Sequence, residues 1–206
     1  MDYNETDGRR NGNGTTAGSS NNILLIGVTG SGKTSVGWLL AHLIGYGFLD
    51  TDQFIEQQAG KSVADIFAES GEDEFRKVER QSVHALGGLR THVIATGGGA
   101  VVDPETWGML TQLGSTVWIN TPAEEVAKRL NMKPDALRSR PLIADLVNVP
   151  DKAQRLKQLT DRIGALIAQR KDRFQEAKLV MNTAHSTLET SAHLLKSLLV
   201  SEGILK

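Results

Sequence analysis

The residues best suited to chemistry begin at Gly27. Gly27, four further residues and Gly32-Lys33-Thr34 form a phosphate-binding loop pattern. The apolar run Ile23-Leu24-Leu25-Ile26 precedes it as a buried strand, and a helix opens at Lys33. Glycines let backbone N–H groups curl around an anion, and the helix points its positive end at the same place. Lys33 suits the outer phosphates of a nucleoside triphosphate, and the Thr34 hydroxyl suits Mg²⁺. Asp50 and Asp52 follow the next short apolar run, Phe48-Leu49. In an extended segment both side chains point to one side. Asp50 then lies near the loop, where it can hold Mg²⁺ through water, and Asp52 lies further out, where it can accept a hydroxyl proton. The alternative for Asp52 is a cap on a helix at Phe54-Ile55. Gly97-Gly98-Gly99 suits close backbone approach to a small ligand, the alternative being a loose loop. Arg129, Arg138 and Arg140 surround an irregular segment, residues 131–150. Arginines on such a segment suit the charge of a transferring phosphoryl group, the alternative being an ordinary basic loop. Arg76, in the run Phe75-Arg76-Lys77-Val78-Glu79, reads from pattern alone as part of a solvated helix face.

These residues need a scaffold that brings strand ends together. After Ile23 the chain alternates strand and helix. The helix from Thr34 to Ile44 ends at Gly45 and Gly47, and helical patterns follow from Phe54 to Gln58 and from Val63 to Leu86, with a break at Gly71. Val93–Thr96 is a strand, Pro104 to about Leu113 a helix, and Thr116–Ile119 a strand. Thr121 is placed as a helix cap with Pro122 at the first helical position. A helix from Lys152 to Phe174, a strand Leu179–Met181 and a helix from Thr187 to Leu199 complete the order. Helices of this length between strands imply right-handed crossovers, hence an α/β fold with a parallel sheet and helices on both faces. Ligands of such sheets sit at the carboxyl ends of the strands, where Gly27–Thr34, Asp50–Asp52 and Gly97–Gly99 fall.

Composition narrows the function. The chain has 206 residues, with 23 Lys and Arg against 24 Asp and Glu, so neither a nucleic-acid nor a membrane-surface partner is expected. It has no cysteine, which excludes disulfides, thiolate metal sites and a cysteine nucleophile and fits a reducing compartment. Residues 1–20 are rich in Gly, Asn, Ser and Thr and are expected to be a disordered tail; residues 21–206 are expected to form a single domain.

Together these motifs resemble the shikimate kinase family, from about Asn22 to Thr183. The carriers are the Gly30-Ser31-Gly32-Lys33-Thr34 loop with Gly37, Phe48-Leu49-Asp50-Thr51-Asp52, Gly60 to Phe67, Gly71-Glu72-Asp73-Glu74-Phe75-Arg76, Gly97-Gly98-Gly99, Arg140-Pro141-Leu142 and Gln169-Arg170 followed by Phe174. The resemblance implies a three-layer P-loop kinase fold with a five-stranded parallel sheet and a mobile lid at about 131–150. It implies ATP-dependent phosphorylation of the 3-hydroxyl of shikimate, a step of aromatic amino-acid biosynthesis. Gly30, Ser31, Gly32, Lys33, Thr34 and Ser35 then hold ATP, with Arg129 stacked on adenine and Arg140 on the phosphates. Thr34 and Asp50 hold Mg²⁺; Lys33, Asp52 and Arg140 are catalytic. Asp52, Arg76, Gly97, Gly98, Gly99 and Arg170 bind shikimate, which reverses the reading of Arg76 as a solvated charge. A cytoplasmic monomer is implied. The chain departs from the family at Phe174, where Tyr is usual, and at Lys171-Asp172-Arg173, which makes Arg173 the rival of Arg170. The competing functions are a kinase of another small hydroxy acid such as gluconate, and a nucleotide-binding regulatory module without turnover.

Overall fold

Strand β1 (Asn22–Ile26) is buried along its whole length, because its two faces meet two different helix layers. The computed structural model describes residues 21–184 and 186–206, so the expectation of a tail at 1–20 lies outside the described residues. Ile23 and Leu25 face one core with Val36, Leu40 and Ala41 of α1 (Lys33–Ile44) and Leu195 and Leu199 of α7 (Leu188–Ser201). Leu24 and Ile26 face the other, with Val126 and Leu130 of α5 (Ala123–Met132), Leu110 of α4 (Pro104–Leu113), and Leu159, Ile163 and Phe174 of α6 (Lys152–Gln175). Side chains alternate across a strand, so four apolar residues in a row supply both cores. Truncating any one to alanine is expected to remove about 2–5 kcal/mol.

The sheet is parallel throughout, in the order β2-β3-β1-β4-β5, with β2 (Gly47–Asp50), β3 (His92–Ala95), β4 (Gly114–Asn120) and β5 (Leu179–Asn182). The five strands therefore end on one edge of the sheet. The register pairs Asp50 with Ala95 and Leu25 with Ala95, which brings the loops after β1, β2 and β3 together. A third cluster, Ile55, Val63, Ile66 and Phe75, joins α2 (Thr51–Ala59) to α3 (Val63–Ala85) at that edge. At Gly71 the backbone leaves helical geometry, with φ 78° and ψ 177°, so α3 is two helices in succession, as the glycine suggested.

Two expectations need correction. Thr121 is not a cap: Pro122 occupies the flanking position, α5 starts at Ala123, and the Thr121 hydroxyl instead donates to the Ser31 carbonyl at 3.0 Å. The segment 131–150 is not irregular throughout. It forms 3₁₀ turns at Pro134–Leu137 and Pro141–Asn148 and buries Leu137, Ile143 and Leu146 in the core. Arg162 of α6 holds the second turn through Asp145 at 2.8 Å and the Leu142 carbonyl at 3.1 Å.

Candidate active site

The loop after β1 needs backbone that only glycine adopts easily. Gly27, Gly30 and Gly32 have φ of 146°, 78° and 101°. A Cβ on Gly27 would also lie 2.8 Å from the Ile119 carbonyl oxygen of β4. No side chain caps α1, whose flanking residue is Gly32, so its first N–H groups are left for an anion. The buried Lys33 amine donates to the carbonyls of Gly27 and Val28, both at 2.9 Å. Burial pulls it down to about 8, with Asp52 and Asp50 pulling the other way. A groove of about 580 Å³ opens over this loop. Gly30, Ser31, Gly32, Lys33, Thr34 and Ser35 form its floor, and Arg129 and Arg140 lie on its wall. Thr121 and Thr183 pair their hydroxyls at 2.5 Å beneath it, which ties the loop to the ends of β4 and β5.

The two aspartates part company. They do not share an extended segment, because the strand stops at Asp50 and Asp52 sits in the first turn of α2. The cap is Asp50: one oxygen accepts from the N–H groups of Asp52 at 3.0 Å and Gln53 at 3.4 Å. Its other oxygen accepts from the Thr34 hydroxyl at 2.7 Å, so Asp50 faces the phosphate loop. Asp52 instead lines a second, narrower pocket. Burial first, and then the like charge of Asp50, push its carboxyl up to about 6, against the pull of Lys33.

That second pocket is lined by Asp52, Arg76, Gly97, Gly98, Gly99 and Arg170, together with Arg140. Arg76 lies 5.5 Å over the Phe75 ring and bonds Glu79 and Glu72, both at 2.7 Å. Burial pulls the Arg76 guanidinium down, but Glu79 and Glu72 outweigh it and raise it. Arg170 donates to the Gly98 carbonyl at 2.7 Å, and its buried Nε has no partner. Burial and the neighbouring Arg76 push Arg170 down, and burial does the same to Arg140. Two poorly compensated guanidiniums therefore face one small space, which favours an anion there. The glycines are space-limited: a Cβ on Gly97 would lie 2.6 Å from an Asp52 oxygen, and one on Gly99 would collide with the Arg76 guanidinium. Arg140 lines both pockets and marks where they meet.

Two expected arginines stand elsewhere. Arg138 is exposed, 3.9 Å from Asp135, and lines neither pocket. Arg173 pairs with Glu176 at 3.0 Å on the surface, so Arg170 is the one brought into the pocket. Two residues were missed. Glu79 is 1% exposed, lines the pocket, and has one carboxyl oxygen without a partner. Its signal was its place three residues after Arg76 in a helical pattern. The Thr51 hydroxyl accepts the Gly97 N–H at 2.8 Å and so fixes the glycine loop; its signal was its place in the middle of the Asp50-Thr51-Asp52 motif.

A parallel sheet with a phosphate loop after its first strand, beside a buried acid in an arginine-lined pocket, defines a P-loop kinase of a small anionic acceptor. The family model for shikimate kinase matches residues 29–199. The shikimate kinase of Synechococcus elongatus is 38% identical over 164 residues, 80% of this chain and 78% of that protein. The shikimate kinase of Chlorobium chlorochromatii is 36% identical over 163 residues, 78% of this chain and 81% of that one. Among solved structures, shikimate kinase from Acinetobacter baumannii in complex with shikimate superimposes with a TM-score of 0.74 at 32% identity, covering 88% of this chain and 93% of that chain. The shikimate kinase from Bacteroides thetaiotaomicron gives 0.74 at 28% identity, covering 87% and 98%. The chain belongs to the shikimate kinase family, whose members use ATP as a substrate.

Proposed function

We propose that the chain transfers the terminal phosphoryl group of ATP to the 3-hydroxyl of shikimate, with the roles set by the two adjoining pockets. The observation that carries this is Arg140, which lines the phosphate-loop groove and the Asp52 pocket at once. ATP occupies the groove over Gly30–Ser35, with Arg129 against adenine. Shikimate occupies the narrower pocket, its carboxylate between Arg76 and Arg170 and its hydroxyl at Asp52, with the Gly97–Gly99 backbone beside it. The hydroxyl oxygen attacks the terminal phosphorus, its proton passes to Asp52, and the bond to the bridging oxygen of ADP breaks. A carboxyl near pH 6 is ionised at neutral pH and still basic enough to take that proton. Lys33 and Arg140 supply positive charge where the phosphoryl group crosses.

Mg²⁺ fits the chain's own donors. The Thr34 hydroxyl and the Asp50 carboxylate lie 2.7 Å apart, both hard oxygen donors. Among the described residues no group of three or more His, Cys, Asp or Glu could hold a metal alone, which suits an ion bound mainly by phosphates and water. When bound, Mg²⁺ neutralises the outer phosphates and orders them for attack.

We place the protein in the cytoplasm as a monomer with one domain over residues 21–206, acting on small molecules rather than on nucleic acid or a membrane. A net charge of −1 argues against nucleic-acid and membrane-surface partners, and among the described residues no helix is long and apolar enough to cross a membrane. The test is ADP release in a coupled assay with Mg·ATP and shikimate, gluconate or no acceptor. Release with shikimate alone is expected. Release with gluconate at equal efficiency would favour another hydroxy acid, and no release with either would favour a regulatory module.

A further inference from the structure

The assigned roles leave two sets of contacts on α4 unused, and they reach the helices that carry Arg76 and Arg170. Arg80 lies one turn beyond Arg76 on α3. Its Nε and Nη2 both donate to Asp103, at 3.2 Å each, and its Nη1 lies 2.5 Å from Glu105. Asp103 caps α4, accepting from the Thr106 N–H at 2.9 Å and hydroxyl at 2.7 Å. It stands four residues after Gly99, so the same carboxylate joins α3, α4 and the end of the glycine loop. On the other side, the Trp107 indole of α4 donates to Glu176 at 2.7 Å. Glu176 caps the end of α6 and also accepts from Arg173 at 3.0 and 3.2 Å. Each guanidinium facing the pocket thus has an outward companion on its own helix: Arg80 for Arg76 and Arg173 for Arg170.

We propose that α4 is a yoke: the Arg80–Asp103 fork and the Trp107–Glu176 bond set the separation of Arg76 and Arg170, making Arg80 and Glu176 positioning residues for the shikimate carboxylate. This rests on the reading of Arg76 and Arg170 as the carboxylate clamp. A carboxylate held between two guanidiniums depends on where both stand, so a small displacement of either helix weakens the grip. The glycine contacts show how little slack exists, since even a methyl group on Gly99 would strike Arg76. Stability is a poor reason for the Arg80–Asp103 tie. The Arg80 side chain is 37% exposed, a setting in which ion pairs contribute little to folding. What a forked contact between separate elements adds is direction.

The test is steady-state kinetics of Arg80→Met, Arg80→Lys, Glu176→Ala and the control Arg76→Ala, each checked for folding by thermal denaturation. Arg80→Met and Glu176→Ala are expected to raise KM for shikimate roughly three- to tenfold, with kcat and KM for ATP within about twofold of the parent. Arg80→Lys, which keeps the charge but not the fork, should give a smaller rise. A merely structural tie would lower the melting temperature and leave KM for shikimate alone. If Arg76→Ala raises KM while Arg80→Met and Glu176→Ala do not, the yoke is wrong and the clamp stands. If Arg76→Ala also leaves KM unchanged, the clamp reading fails and the yoke falls with it.

Discussion

Replacing Asp52 with asparagine should give a protein that is inactive and, above pH 6, more stable than the parent. Burial and the neighbouring Asp50 raise the Asp52 carboxyl from its ordinary 3.8 to about 6. Above pH 6 the group is ionised in both the folded and the unfolded chain, and only the folded chain carries the cost of a confined charge. Well below pH 3.8 it is protonated in both, and the cost vanishes. Between these limits the folded state binds the extra proton, so this group's contribution to stability falls as pH rises. At about 1.4 kcal/mol per pH unit, the step from 3.8 to about 6 corresponds to about 3 kcal/mol. Asparagine keeps the shape and removes the charge. Urea unfolding of the two proteins at pH 4.5 and pH 7.5 should therefore show the smaller difference, about 1 kcal/mol, at the lower pH. At the higher pH the variant should be ahead by up to about 3 kcal/mol, or about 6–12 °C in Tm for a chain of this size. Turnover should fall roughly 10²- to 10⁴-fold, the range for loss of a positioned base. A variant that is no more stable at pH 7.5, or a difference that does not depend on pH, would refute the claim that Asp52 is held as a strained base.

Further outcomes are expected. Lys33→Ala should fold, lose turnover by orders of magnitude and lose affinity for ADP in calorimetry; near-normal kcat would remove the loop from the chemistry. Arg140→Ala should lower kcat roughly 10³-fold with little change in KM for shikimate, and Arg140→Lys should recover only part of it, because an ammonium cannot fork. A rise in KM with kcat intact would make Arg140 a substrate clamp instead. Gly99→Ala should raise KM for shikimate about tenfold or more by displacing Arg76, with KM for ATP as the internal control. Asp50→Asn should weaken Mg²⁺ activation by removing the carboxylate charge beside the Thr34 hydroxyl, and unchanged activation would move the metal elsewhere.

Much of this site was legible where local rules act alone. A glycine-spaced loop between an apolar run and a helix admits few conformations, and the helix Pro104–Leu113 falls where its proline and periodicity put it. Legibility failed where a residue answers to a distant one. Thr121 has the chemistry of a cap, but Ser31 and Thr183 across the sheet ends claim its hydroxyl. Asp50 and Asp52 were expected on one extended stretch, but α2 begins one residue earlier than that geometry needs. Arg76 has the pattern of a solvated charge, and only the fold brings Arg170 and the glycines to it. The segment 131–150 lacks periodicity because 3₁₀ turns do not repeat like α-helix, yet Leu137, Ile143 and Leu146 are core residues.

The central claim is the division of labour between the two pockets, and a crystal structure of the enzyme with shikimate and Mg·ADP tests it most directly. The expected result is the shikimate carboxylate between Arg76 and Arg170, one hydroxyl within hydrogen-bond reach of Asp52, and the ADP phosphates over Gly30–Ser35 with Arg140 between the two ligands. A carboxylate turned toward Lys33, or a shikimate hydroxyl held by Asp50 with Asp52 on the metal, would contradict it.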